Sequence, residues 1–271
     1  MQAVSAPTRS AFGGLLRQWR GTRGLSQLAL ALRVQTTTRH LSYLENGRSR
    51  PGRELVLRLS SALDLPLRGR NELLVAAGLP AEFPARQLRS AALAPYRGAV
   101  MQLLGAIDPV PAFVLDPTFD VLEANAVGQR LVPALATGER VNLVDAFLAP
   151  GPARASIANF PEVAWSWHLR ILRAAAASPS AQLEDLLARV EAYLRDVPHP
   201  LQDATGEPVV CPTFRIGDAT VRTIGMTMRF GPSRDVTLEE LFVDVLCPRD
   251  DVARRFFETL AAAPAVGGPT V

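Results

Sequence analysis

SQLALALRVQTTTRHLSYLENGRSRP, residues 26–51, decides the architecture of the first third of the chain. Ser26 has the chemistry of a helix N-cap, and Gln27–Arg33 behind it reads as a short helix. After Val34-Gln35-Thr36 a second helix starts near Thr37 and runs through Leu41 and Leu44 to Asn46, where Gly47 stops it as a C′ glycine does. Arg48 and Arg50 then make the next loop basic. Two short helices in close succession, the second leading into a basic loop, suit a major groove about 12 Å wide, with the first helix crossing the backbone. Leu28, Ala31, Leu32, Leu41 and Leu44 are expected in the core.

Working outward, Phe12, Leu15, Leu16 and Trp19 fall at helical spacing in Ala11–Arg23, with Ser10 as N-cap. Arg53–Leu63 turns Leu55, Val56, Leu59 and Leu63 inward, and a fifth helix, Asn71–Ala77, stops at Gly78. The expectation is an all-α five-helix DNA-binding domain over residues 10–80 and a proline-bearing linker over 81–95. An α+β domain over 96–262 follows, an antiparallel sheet with helices on one face. It opens with a helix at Tyr96–Ile107 and two strands, Pro111–Asp116 and Val121–Asn125. Residues 126–195 are mainly helical, and strands return at 209–216, 219–230 and 238–247, the first two joined at Gly217-Asp218. Ile224, Met226, Met228 and Phe230 alternate onto one side of the middle strand, which is expected to be buried.

With 271 residues, 48% hydrophobic and 20% charged, the chain has material for two ordinary domains. All 29 basic residues are arginine. That excludes a Walker-A lysine, a Schiff-base lysine and a kinase-type phosphate lysine. With high Ala, Gly and Pro usage, it also suggests a GC-rich bacterial genome. Residues 1–80 hold 12 arginines against four acids, a charge of +8, whereas 81–271 hold 17 against 22, a charge of −5. A basic head on an acidic body is the pattern of a nucleic-acid-binding module attached to a non-binding one. The first residues carry no apolar signal-peptide core, and no run reaches 18 apolar residues, so a cytoplasmic protein without a membrane partner is expected. Cys211 and Cys247 alone make no disulfide framework, and His40, His168 and His199 show no zinc spacing. With no G-x-S-x-G elbow or phosphate loop, no enzyme is expected.

On the S-Q-x-x-L-A-like start, L-S-Y-L-E-N-G and R-S-R-P, residues 10–78 resemble the lambda-repressor and Cro-like, or XRE-type, helix-turn-helix family. The resemblance implies that Gln27 sits against a phosphate and the recognition helix. It implies that Thr37, Thr38, Arg39 and Tyr43 face base edges, with Arg39 pairing to a guanine, and that Arg48 and Arg50 grip the phosphate backbone. Gln35 and Thr36 depart from the family's Gly-Val turn. If that glycine serves a positive φ, either Gln35 takes a strained conformation or the turn differs slightly.

Residues 90–260 resemble the MmyB-like ligand-binding domain, a PAS-like sheet with helices packed on it. The match is carried by residues 96–132, by VNLVDAFL (141–148) and by TIGMTMRFGPSRDVTLEELFVDVLCP (223–248). It implies a fatty-acid-like or other apolar ligand between sheet and helices, and no other cofactor. Phe113, Trp165, Trp167, Met226, Met228 and Phe230 are candidates to line the pocket, with Asn125 and His168 as polar ends. Taken singly, each apolar candidate reads more readily as core, and a lone helical histidine such as His168 more readily as a satisfied surface or core residue. The expected partners are a double-stranded DNA operator, the small apolar ligand and a second copy in a homodimer. Two alternatives stand beside this: an interaction or dimerisation module without a ligand, and a haem or redox sensor using Cys211-Pro212 and Cys247-Pro248.

Overall fold

The structure, a computed structural model, describes residues 11–200 and 208–263. They divide into two compact units. One comprises the residues up to Ala85 together with Pro232–Glu239; the other comprises Arg86–Gly231 and the residues from Glu240 onward. Ser10, the expected first cap, lies outside the described residues.

The first unit carries α1 (Ala11–Thr22), α2 (Gln27–Arg33), α3 (Thr38–Glu45), α4 (Arg53–Ala62) and α5 (Leu67–Ala76) around a core that includes Leu16, Trp19, Leu30, Leu41, Leu44, Leu59 and Leu73. The caps read from the sequence are made: Ser26 Oγ accepts from Ala29 N at 3.0 Å, and Thr37 Oγ1 accepts from His40 N at 3.0 Å. Gln35 takes the left-handed conformation at φ 54°, so the turn keeps a glycine-type geometry with a side chain in it. Leu28 and Leu32 are not core; they are 58% and 69% exposed, and Leu30 and Ala31 are the buried residues of α2. At roughly 100° per residue, leucines two apart fall on opposite sides of a helix, so Leu30 cannot share a face with Leu28 and Leu32. The last helix starts at Leu67 rather than Asn71, and its Gly69 lies where a Cβ would come within 3.2 Å of the Trp19 ring.

The second unit begins with α6 (Ala94–Ala106), β1 (Ala112–Leu115), β2 (Val121–Ala124) and α7 (Ala126–Leu131). Then come α8 (Leu143–Leu148), α9 (Pro152–Ser156), α10 (Phe160–Ala177) and α11 (Ala181–Leu194). The chain returns as β3 (Thr213–Ile216), β4 (Ala219–Arg229), β5 (Phe242–Pro248) and α13 (Asp251–Ala262), with α12 (Val236–Glu240) between β4 and β5. The sheet is antiparallel throughout, in the order β2-β1-β5-β4-β3. Residues 209–212 lie outside any strand. None of the described helices is long and apolar enough to cross a membrane.

Register assigns the two faces of the sheet. Phe113, Asp244 and Thr227 stand opposite one another across β1, β5 and β4, and with Leu246 they face α10. Met228 and Val243 are paired and line a cleft of about 150 Å³ with Ala99, Val100 and Leu103 of α6 and with Phe230. Ile224, Met226, Met228 and Phe230 therefore do alternate, but away from α10. Ile224 and Met226 are 42% and 53% exposed, which corrects the expectation of a buried face.

The β4–β5 connection folds as part of the first unit. Residues 238–241, read from sequence as strand, instead complete α12 and the approach to β5; Asp235 Oδ1 accepts from Thr237 N at 3.0 Å to start that helix. Val236 N donates to Pro84 O at 2.8 Å, and Glu239 Oε2 accepts from Leu67 N at 2.7 Å. The second bond matters because α5 is preceded by Pro66, which offers no side-chain cap. A carboxylate there satisfies an orphan N–H and meets the positive end of the helix dipole. Glu239→Ala is therefore expected to lower the stability of the helical unit by about 1 kcal/mol, the usual worth of a cap. Hydrogen exchange by mass spectrometry should show faster exchange confined to the start of α5; unchanged protection there would remove the capping role.

Candidate DNA interface and ligand pocket

Glu45, the last residue of α3, is fully buried. Its Oε1 accepts from Arg20 Nε at 2.6 Å, and its Oε2 from Arg20 Nη2 at 3.0 Å and Gln27 Nε2 at 2.8 Å. Arg17 Nε stands 3.5 Å away. Burial by itself pushes this carboxyl up, but the hydrogen bonds from Arg20 and Gln27 and the charges of Arg20 and Arg17 outweigh it and hold Glu45 below its ordinary range. The pairing fixes the end of α3 to both α1 and α2. Gly13 lets α1 come this close: a Cβ there would lie 2.5 Å from Glu45 O. Gln27, expected to meet a phosphate and the recognition helix, reaches that helix through this bond.

On the open side of α3, Arg39 Nε donates to the Tyr43 hydroxyl at 2.9 Å, with its guanidinium 5.4 Å from the Tyr43 ring centre. Thr37 is spent as the N-cap, and Thr38 is half-buried beside it. Arg48 and Arg50 are exposed and pair with no acid among the described residues. Other arginines of this unit are engaged. Arg53 pairs with Glu82 at 2.8 Å, Arg23 donates to Leu63 O and Asp64 O, and Arg70 donates to Leu65 O. Arg48, Arg50 and the terminal nitrogens of Arg39 thus stand without hydrogen-bond partners among the described residues, on α3 and the loop behind it.

In the second unit, a groove of about 350 Å³ runs between α10 and β4–β5, lined by Trp167, Arg170, Arg173, Thr227, Asp244 and Leu246 among others. A second space of about 40 Å³ lies beneath it, walled by Phe113, Leu143, Phe147, Val163 and Phe214 and sharing Trp167, Asp244 and Leu246 with the groove. At that size it holds about one water molecule. Arg170 closes onto Asp244 with two bonds, Nη1–Oδ2 at 2.6 Å and Nη2–Oδ1 at 2.8 Å, while Thr227 Oγ1 donates to Oδ1 at 2.7 Å. The same guanidinium lies 5.0–5.1 Å from the ring centres of Phe119, Trp167 and Phe242.

Of the residues singled out in the sequence, Phe113 and Trp167 meet at this space, and Met226 borders the groove from its exposed strand. Met228 and Phe230 lie on the α6 side. Trp165 and His168 belong elsewhere: Trp165 stacks against His168 and His199 at 5.4 and 4.5 Å and donates to Pro198 O, and His168 Nε2 is 3.7 Å from Glu191. Two residues apart on α10, Trp165 and Trp167 cannot point the same way. Asn125 has no valence left for a head group. Its oxygen accepts from Ala112 N and Gly128 N, and its amide donates to Asp108 Oδ1 and Val110 O. Arg170 and Asp244 escaped the sequence reading. The available signal was an aspartate inside the apolar run FVDVLC, a charge that burial must pair. Burial pushes the Cys247 thiol up, the opposite of what a haem thiolate needs.

Residues 96–260, more than half of the chain, match the MmyB-like transcription regulator ligand binding domain. Residues 16–69 match a helix-turn-helix domain. A search of curated proteins returned no match.

Glu45 gives the helical unit a pH dependence of definite sign. Its carboxyl titrates lower when folded than its ordinary value near 4.3, so its stabilisation is fully present above that value and is lost as pH falls through the folded one. Glu45→Gln is expected to cost about 3 kcal/mol at pH 7, since it leaves Arg20 without its partner. It should also flatten the loss of stability between pH 7 and pH 3. Denaturant titrations followed at Trp19 test both; a variant with wild-type acid sensitivity would contradict the assignment.

Proposed function

We infer the function from one premise: the chain belongs to the family of MmyB-like transcription regulators, with a helix-turn-helix DNA-binding domain and a ligand-binding domain. It is a DNA-binding transcription regulator with a domain for a small-molecule ligand. Beyond that, our reading is that α3 enters the major groove of a two-fold operator, that Arg39 reads a guanine edge, and that Arg48 and Arg50 hold phosphates. The observation that carries this is the distribution of free cations. Arg48, Arg50 and the terminal nitrogens of Arg39 stand open on one helix and its loop, while Arg20, Arg23, Arg53 and Arg70 donate to groups inside the protein. We assign the ligand to the α10 side of the sheet and take it to be a fatty-acid-like apolar molecule. The exposed Ile224 and Met226 support dimerisation through the opposite face.

With about four to eight phosphate contacts per dimer, Arg48 and Arg50 of each head among them, the logarithm of operator affinity should fall against the logarithm of salt with a slope of about −4 to −7. Fluorescence anisotropy with the protein's own upstream region measures it. Specific binding insensitive to salt would contradict the arrangement and favour an interaction module whose head no longer reads DNA.

Arg39→Ala and Arg50→Ala should separate. Loss of a bidentate guanine contact should cost about 1–3 kcal/mol on the operator and flatten preference at one base pair. Loss of Arg50 should weaken operator and random DNA alike. Equal losses on both DNAs for both variants would take Arg39 out of base readout.

A further inference from the structure

We propose that Cys247 and Met226 form a binding site for a soft monovalent metal ion of the copper(I) type, with one sulfur from β5 and one from β4 closing on the ion across the strand pair. The site lies on the face of the sheet turned away from α10 and does not involve the apolar ligand. Both sulfurs come from one chain, so it does not depend on dimerisation either.

Strand register brings together two sulfurs that stand 21 residues apart in sequence. Ile224 pairs with Cys247 and Met226 with Val245, which makes Cys247 and Met226 diagonal neighbours on one face. Cys247 Sγ donates to Met226 Sδ at 3.6 Å. Two sulfurs bound to one metal at about 2.3 Å each lie about 4 Å apart in trigonal coordination and about 4.6 Å apart in linear coordination. The observed pair is therefore close to both geometries. Met226 is 53% exposed and its unbranched side chain is flexible, so the small opening needed meets no packed neighbour on its outer side.

The donor set selects the metal. Thiolate and thioether are soft ligands, which favour copper(I) over hard cations. Ile224 and Val245, the strand partners of the two sulfur residues, add no oxygen or nitrogen from their side chains. Among the described residues, no group of three or more histidines, cysteines and acids gathers that could hold a metal, so a zinc-type cluster is not the competing site.

Charge points the same way. On binding, the Cys247 thiol gives its proton to solvent, no electron is transferred, and the thiolate, the neutral thioether and one monovalent cation sum to zero. Burial disfavours the bare Cys247 thiolate, and the cation offsets that cost. A divalent ion would leave a net positive charge against Ile224 and Val245, which apolar surroundings resist. Cys211 is engaged separately, accepting from Gly225 N at 3.1 Å, and serves as the control.

The test uses the full-length protein, reduced and metal-free under nitrogen, in competition with bathocuproine disulfonate for copper(I). One equivalent per chain is expected, with sulfur ligands in the X-ray absorption spectrum. Met226→Leu, an exposed change of similar volume, should weaken binding by at least the roughly ten- to hundred-fold that loss of a group supporting a metal site costs. Cys247→Ser should abolish the tight equivalent and Cys211→Ser should leave it unchanged, with melting temperatures taken without metal separating a lost site from a lost fold. Failure to compete with the chelator would overturn the proposal. Wild-type affinity in Met226→Leu would overturn it as well, by showing a lone thiol as the ligand. Binding retained in Cys247→Ser, or lost in Cys211→Ser, would place the ion elsewhere. A last arm needs no variant: one equivalent of silver(I), a probe that does not change oxidation state, should block alkylation of Cys247 in the wild-type protein as read by peptide mass spectrometry. Unhindered alkylation would remove Cys247 as the ligand and the proposal with it.

Discussion

The protein cannot close its central strand pair without giving eight residues to its other unit. β4 and β5 are hydrogen-bonded neighbours from Thr223–Pro248 to Arg229–Phe242, yet Pro232–Glu239, which joins them, folds with the helical unit. Inside that unit the segment is held by Val236 N to Pro84 O and by Glu239 to Leu67 N. Asp244 lies five residues beyond Glu239, and Arg229 three residues before Pro232. Any ligand that alters the β4–β5 pair acts on strands covalently continuous with the cap of α5. A helix cap is worth about 1 kcal/mol, up to about 2. Allosteric coupling free energies are typically about 1–3 kcal/mol. A single cap of this kind is therefore large enough to carry the regulation of a DNA-binding head, provided the ligand prefers one state of the strand pair.

Within the helical unit, the corresponding constraint is Glu45. A buried carboxylate is tolerated only when paired, and here one residue gathers donors from two other helices. The geometry of α3 is thereby set by a polar contact at its end as well as by Leu41 and Leu44 along its length. Apolar packing permits small sliding between helices; a bidentate guanidinium–carboxylate pair does not. That is a sensible place to use a costly group, because a recognition helix reads base edges only if its axis is fixed relative to the helix that crosses the backbone.

How far the sequence could be read follows from what each signal measures. Caps and turns are local, so Ser26, Thr37, Gly47 and the Gly217-Asp218 turn were legible, and the missing glycine at Gln35 correctly marked a left-handed residue. Apolar content misled wherever it outran geometry. α2 has leucines at 28, 30 and 32, more than one face can bury, and only the fold selects Leu30. In β4 the alternation of Ile224, Met226 and Met228 was real, but alternation defines two faces without saying which meets α10. The face that does carries Thr223, Gly225 and Thr227, small or polar residues that leave room for the groove. Arg170 and Asp244 were invisible as a pair because 74 residues separate them, and sequence spacing reports only neighbours on one element.

An all-arginine chain also uses its cations in a way lysine could not. Arg39 over Tyr43 and Arg170 over Phe119, Trp167 and Phe242 follow the same plan, a planar cation laid against aromatic rings with an acceptor in its plane. The acceptors differ, and the difference decides what each arginine can do. The acceptor of Arg170 is a carboxylate that takes both terminal nitrogens, so its charge is matched. Arg39 meets a neutral hydroxyl through Nε, which leaves both terminal nitrogens and the full charge available. Stacking lowers the rotamer entropy that a flexible side chain would lose on meeting a base. The Tyr43 ring and hydroxyl give the Arg39 guanidinium a fixed plane, whereas a lysine ammonium at residue 39 would carry the charge without a plane to orient.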